Sequence, residues 1–140
     1  MLKTALALLA LLVSTSSFAQ IGDIGYTKAK IINNLKNQGY EYLSGTAGEI
    51  ISEMEGGILN YYYFKGNTCN VIKTINPIVD TKENRQFIIS NFCDGVKKVV
   101  ANGVTTCYAS DGFKYTIFFK YSDIVGSTCA YVKKEKFTRK

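Results

Sequence analysis

Cys69, Cys93, Cys107 and Cys129 are the side chains of this 140-residue sequence most capable of covalent chemistry, and their spacing decides which kind. A zinc site usually draws on close pairs such as C-x-x-C. The nearest two cysteines here, Cys93 and Cys107, are 14 residues apart. An even number of well-separated cysteines fits two disulfides instead. The sequence contains no histidine. That removes Ser-His-Asp and Cys-His catalysis and imidazole metal sites. Carboxylates and lysines remain as bases. Glu53 and Glu55 are two apart on one expected strand, so they share a side. Such a pair can cleave a glycosidic bond when it lines a cleft about 5–10 Å across. Here the pair sits beside Gly56-Gly57, at an expected turn, where solvated carboxylates are the simpler reading. No phosphate loop, dinucleotide fingerprint or calcium loop is written in the chain. The residue types favour a non-enzymatic protein without a cofactor. The alternative is a hydrolase using carboxylate and lysine chemistry.

The redox state of the cysteines depends on the compartment, which the first nineteen residues address. Lys3 supplies a positive start, Ala5 to Val13 is an unbroken apolar run, and Ser17-Phe18-Ala19 is a small-x-small triplet. That order is the signature of a secretory signal peptide. The run is shorter than the roughly 20 residues that span a bilayer. The residue directly after Ala19 is Gln20 rather than a cysteine, so no lipid anchor is expected. The expectation is a cleaved signal over residues 1–19 and a soluble product, periplasmic or secreted. Disulfides are the default there. Roughly 120 residues remain, enough for one domain with its own core. The formal net charge is +6. Much of the excess lies in Lys133, Lys134, Lys136, Arg139 and Lys140, against Glu135. Residues 133–140 therefore read as a basic C-terminal tail. Such a tail is usually a solvated end, and its functional alternative is a weak contact with an anionic surface, with no specific nucleic acid implied.

The elements that must position these residues are written twice. Glu49–Lys65 lies over Val104–Lys120 without a gap, with Gly57 on Gly112, Phe64 on Phe119 and Lys65 on Lys120. Each segment is followed by a turn and then Thr68-Cys69 or Thr128-Cys129. Two repeats, over about 24–76 and 79–133, would share one domain over 20–140. Each begins with a helix. The first is expected over 27–38, with Thr27 as N-cap, Ile31, Ile32 and Leu35 as its apolar stripe, and Gly39 as its stop. The second is expected over 81–101. Asp80 and Glu83 have capping-box spacing, and Ile89, Cys93, Val96 and Val100 fall on one helical face. Asn102-Gly103 would end it. Strands are expected over 40–43, 49–54, 58–65 and 68–75, then over 104–109, 113–121 and 127–133. The fold class is α+β, a tandem repeat with two helices packed on one face of an antiparallel sheet.

Turn chemistry assigns the faces. Ser110-Asp111-Gly112 suits a three-residue hairpin loop, and Gly66-Asn67 a two-residue one. Under that register Cys69, Cys107 and Cys129 all face the helices, and Cys93 on the second helix points toward them. A Cys93–Cys107 bridge then leaves Cys69 and Cys129 to each other. Four cysteines allow three connectivities, and sequence does not choose between them. The opposite face carries Ile51, Glu53, Leu59, Tyr61, Tyr63, Ile72, Thr106, Tyr108, Lys114, Thr116, Phe118 and Lys120. Tyr61, Tyr63, Tyr108, Phe118, Lys114 and Lys120 are the binding candidates, because aromatic anchors dominate protein interfaces. Tyrosine and phenylalanine also favour strands for packing alone.

The stretch Ile24-Gly25-Tyr26-Thr27-Lys28-Ala29-Lys30-Ile31-Ile32 resembles the start of the first helix in small envelope proteins of the SmpA/OmlA type. The doubled helix-plus-meander order is similar to that of the β-lactamase inhibitory proteins. The resemblance covers the whole mature chain in element order and implies a protein whose open sheet face grips another protein or an envelope component. It carries over no inhibitor loop and no individual functional residue.

Overall fold

The computed structural model describes residues 21–109 and 112–137. The expected signal peptide and the last residues of the expected tail, Arg139 and Lys140, lie outside them. Helix α1, Lys28–Asn37, begins where the Thr27 hydroxyl accepts the Lys30 N–H at 3.2 Å. It buries Ile31 and Leu35 and ends before Gly39, whose φ of 78° is left-handed. Four strands follow: β1 Tyr42–Ser44, β2 Ile50–Glu53, β3 Leu59–Lys65 and β4 Thr68–Pro77. A 3-10 turn over Glu55–Gly57 joins β2 to β3. Helix α2, Lys82–Cys93, leads into β5 Lys98–Ala101, β6 Val104–Tyr108, β7 Phe113–Ser122 and β8 Ser127–Lys136. All eight strands form one antiparallel sheet in the order β1-β2-β3-β4-β8-β7-β6-β5. The fold is α+β, and no described helix is long and apolar enough to cross a membrane.

Three expectations are corrected. The first concerns the second helix, which ends at Cys93 rather than near Ala101. Gly95, at φ 68°, breaks it, and Lys98-Val99-Val100-Ala101, with the β-branched pair Val99-Val100 at its centre, pairs with β6. Asn102 and Gly103, at φ 54° and 76°, turn a two-residue hairpin instead of stopping a helix. Both residues tolerate the left-handed region that such a turn demands. The cap also differs: the Thr81 hydroxyl accepts the Asn84 N–H at 3.1 Å. Asp80 accepts hydrogen bonds from Arg85 at 2.6 and 2.9 Å, and that guanidinium holds its carboxyl below the usual range.

The second concerns the faces. A β-bulge between Tyr63 and Phe64 shifts the β3–β4 register: Phe64 opposes Cys69, yet Tyr63 opposes Val71 and Tyr62 opposes Ile72. One extra residue reverses the faces beyond it. Ile72 therefore leaves the open face and packs with the core, and Lys73 and Ile75 take its place beside Tyr61. In the second hairpin Cys129 opposes Lys120, so it does not share a face with Cys107 as expected. Cys93 and Cys107 form a disulfide, whereas Cys69 and Cys129 are free thiols, each buried. The expected Cys69–Cys129 bridge is absent because Cys129 pairs with Pro77, eight residues along β4 from Cys69 and so roughly 26 Å away, as well as on the other face.

The third concerns the tail. Lys133, Lys134 and Lys136 are residues of β8 rather than a free end. Lys134 Nζ pairs with Asp23 at 2.7 Å and lies 4.3 Å from the Phe113 ring centroid, tying the start of the described chain to the sheet.

Two apolar clusters form the core. One gathers Ile21, Ile31, Leu35, Ile50, Met54, Tyr62 and Cys69 around α1. The other gathers Cys93, Cys107, Ile117 and Val132 with Ile88, Ile89 and Phe92 of α2. Two buried polar side chains are paired: the Ser52 hydroxyl donates to Glu41 O at 2.9 Å, and Asn60 Oδ1 accepts the Thr74 hydroxyl at 2.8 Å, whereas the buried Ser127 hydroxyl has no partner among the described residues. Burial pushes the Cys69 thiol up to about 11, so it stays protonated and unreactive at neutral pH.

Alkylation in denaturant without reductant should add two labels per chain, on Cys69 and Cys129, and reduction should raise that to four; mass spectrometry that found no label before reduction would overturn the assignment. The native protein at pH 7.5 should resist labelling. Replacing Cys93 and Cys107 together by alanine should cost about 3 kcal/mol in urea unfolding, as expected for a cross-link closing a loop of this length.

Candidate binding groove

The face that carries Tyr61 is built by alternation along the four central strands. Tyr61 on β3 opposes Lys73 on β4, Lys73 opposes Lys133 on β8, and Lys133 opposes Thr116 on β7. The neighbouring row runs Leu59, Ile75, Tyr131 and Phe118 on the same strands. On the other side a third row runs Tyr63, Val71, Glu135 and Lys114, ending at Tyr108 on β6. Between the first two rows lies a cavity of about 400 Å³, lined by Tyr61, Tyr63, Ile75, Phe118 and Tyr131 with Lys73, Thr116 and Lys133. That is within the range of ligand sites, about 300–1,000 Å³.

Aromatic rings stand at both ends of the groove. Tyr61 and Tyr63 stack at 6.5 Å between centroids and 13° between planes. Phe118 and Tyr131, cross-strand partners, stack at 4.8 Å and 2°. Phe118 is 37% exposed despite being one of the large apolar residues. Burial, followed by the Glu49 carboxylate and Tyr61, raises the Tyr63 phenol above its ordinary value, which keeps it a neutral hydrogen-bond donor. Lys73 Nζ lies 5.1 Å from the Tyr63 ring centroid, and Lys133 Nζ pairs with Glu135 Oε2 at 3.0 Å.

Of the residues singled out from sequence, Tyr61, Tyr63 and Phe118 meet in this groove. Tyr108 does not: its ring packs on Phe137 at 4.5 Å, toward the end of β8. Lys114 opposes Glu135, and Lys120, opposite Cys129, is exposed outside the groove. Lys73, Ile75, Tyr131 and Lys133 were missed. A four-residue loop over Asp123–Gly126 fixes the Phe118–Tyr131 pairing and was the available signal for one of them. The bulge that turns Lys73 and Ile75 into the groove has no signature in residue type. Glu53 ends β2 and Glu55 lies in the 3-10 turn; both are exposed and neither lines the groove. Among the described residues no three of His, Cys, Asp and Glu gather into a metal-holding group.

The arrangement offers planar apolar platforms, phenol and threonine hydroxyls, and two ammonium groups. It can hold a partner by stacking and hydrogen bonding. No family model, no curated protein and no solved structure matches this chain.

Proposed function

We propose that this protein is an exported, non-enzymatic binding module that holds another protein or a component of the cell envelope through its aromatic groove. The observation that carries this is the pairing of two aromatic stacks, Tyr61–Tyr63 and Phe118–Tyr131, on either side of a cationic centre within one open groove. Rings held in place by cross-strand neighbours present contact area at little further entropy cost, which is what interface anchors need.

Supporting features lie at three levels. The signal-like order of residues 1–19 and the Cys93–Cys107 bridge fit an oxidising compartment outside the cytoplasm. The order helix, four strands, helix, four strands, with strand runs β1-β2-β3-β4 and β8-β7-β6-β5 meeting at their last strands, supports a tandem repeat over about 24–76 and 79–133. Cross-strand alternation from Tyr62 through Ile72, Lys134 and Tyr115 to Cys107 supports both helices lying on one side of the sheet, with the groove on the other. That layout is in keeping with the resemblance to SmpA/OmlA-type proteins and β-lactamase inhibitory proteins.

Alanine at Tyr61, Tyr63 and Phe118 together should leave the melting temperature within about 3 °C and abolish retention of the envelope component that the unaltered protein captures. A control at Tyr62, 2% exposed in the α1 cluster, should instead unfold the protein or cost about 3–5 kcal/mol when replaced by alanine. Loss of folding in the triple variant would make the groove aromatics core residues and sink the proposal.

A further inference from the structure

Lys73 and Lys133 are direct cross-strand partners on the two central strands, at the middle of the groove. Directly opposed side chains stand about 4.5–5.5 Å apart at Cβ, and like charges so placed destabilise a sheet. The Lys133 ammonium has Glu135, two residues along its own strand. Among the described residues no carboxylate lies within ion-pair distance of Lys73, which rests over the Tyr63 ring instead. The flanking positions in this row are the Tyr61 phenol and the Thr116 hydroxyl. Four hydrogen-bond donors thus line up across four strands. The adjoining row, Leu59, Ile75, Tyr131 and Phe118, is apolar or aromatic throughout. An occupant that satisfies both rows needs a negative charge beside an apolar body.

Resting on the binding reading above, we infer that the Lys73–Lys133 pair receives a carboxylate, and that the groove takes an acidic side chain flanked by apolar ones on a partner protein. The charge complementarity fixes the acid. The length of the site favours a polypeptide. Tyr61 on β3 and Phe118 on β7 are three strand spacings apart, roughly 14 Å, which about four extended residues span. A carboxylate at the centre and apolar side chains over the two stacks match that span. The lysine opposition then reflects recognition rather than stability.

Two measurements test this. The folded protein, labelled for NMR at lysine and aromatic side chains, is titrated with acetyl-Gly-Leu-Glu-Phe-Gly-amide, with the same peptide carrying Gln for Glu, and with decanoate. The Glu peptide should shift the Tyr61, Tyr63, Phe118 and Tyr131 signals and bind about tenfold more tightly than the Gln peptide. Lys73→Met and Lys133→Met should each reduce that preference to about twofold. Equal binding of the two peptides at the same aromatic signals overturns the carboxylate assignment and leaves the binding reading standing. Peptide binding that survives alanine at Tyr61 and Phe118 overturns the binding reading itself. Decanoate binding tenfold more tightly than the Glu peptide overturns the polypeptide partner, and no groove shift from any of the three overturns the inference. Independently of any occupant, Lys73→Met should raise the melting temperature by about 2–4 °C, because it removes a like-charge opposition. A fall in melting temperature shows that Lys73 serves the free fold and overturns the inference.

Discussion

The ladder between β4 and β8 is the interaction on which the rest depends. These two strands, ten residues each, join the run β1-β2-β3-β4 to the run β8-β7-β6-β5. The two apolar clusters share no buried residue, so packing alone does not fuse them. The backbone hydrogen bonds from Val71–Glu135 to Pro77–Cys129 do. Such a ladder is also what sets side chains opposite one another to within a residue. A slip of β8 by one position against β4 would turn Lys133 toward the core and Val132 away from it. The cost of placing an ammonium group in an apolar interior makes that slip prohibitive. The same ladder therefore specifies the core on one side and the groove on the other.

Much of this was legible in the amino-acid order. The 3.6-residue spacing of Ile31 and Leu35, with Thr27 before and Gly39 after, marks α1 in the local sequence, and its start is further held by Asn67, whose carbonyl accepts the Lys28 N–H at 3.1 Å. The expected pairing of Ala109 with Phe113 is met, since the Ala109 N–H donates to the Phe113 carbonyl at 2.9 Å, while Ser110 and Asp111 themselves lie outside the described residues. The disulfide between Cys93 and Cys107 follows from a helix face pointing at the adjacent strand. The misreadings have physical causes. Val96 and Val100 continue the helical spacing of Ile89 and Cys93, so residues 94–101 satisfy two periods at once. Gly95 and the β6 edge decide in favour of a strand. Tertiary pairing overrides a local pattern that a chain in isolation would follow.

The groove was less legible for a different reason. Tyr61, Tyr63 and Phe118 lie on strands whose alternation is uninterrupted near them. Lys73 and Ile75 lie beyond the bulge, and the position of a bulge depends on how two strands settle their hydrogen bonds rather than on one residue type. The lysines at 133 and 134 look alike in sequence, yet alternation sends one to the groove and the other to Asp23 beneath the Phe113 ring. Charge density read from the chain could not separate a groove lysine from a structural tie.

A single sheet of eight strands, open at both edges, has a geometric consequence for whatever it meets. Neighbouring strands rotate by about 20–25°, so seven junctions carry β1 and β5 roughly 150° apart in direction. The face cannot be flat. A sheet with that twist is saddle-shaped, curving along one diagonal and falling away along the other. A planar surface could touch only part of it. A narrow ridge or a protruding loop laid along that diagonal could reach both aromatic stacks at once. Curvature thus limits the shapes that could lie against this face before any side chain limits their charge.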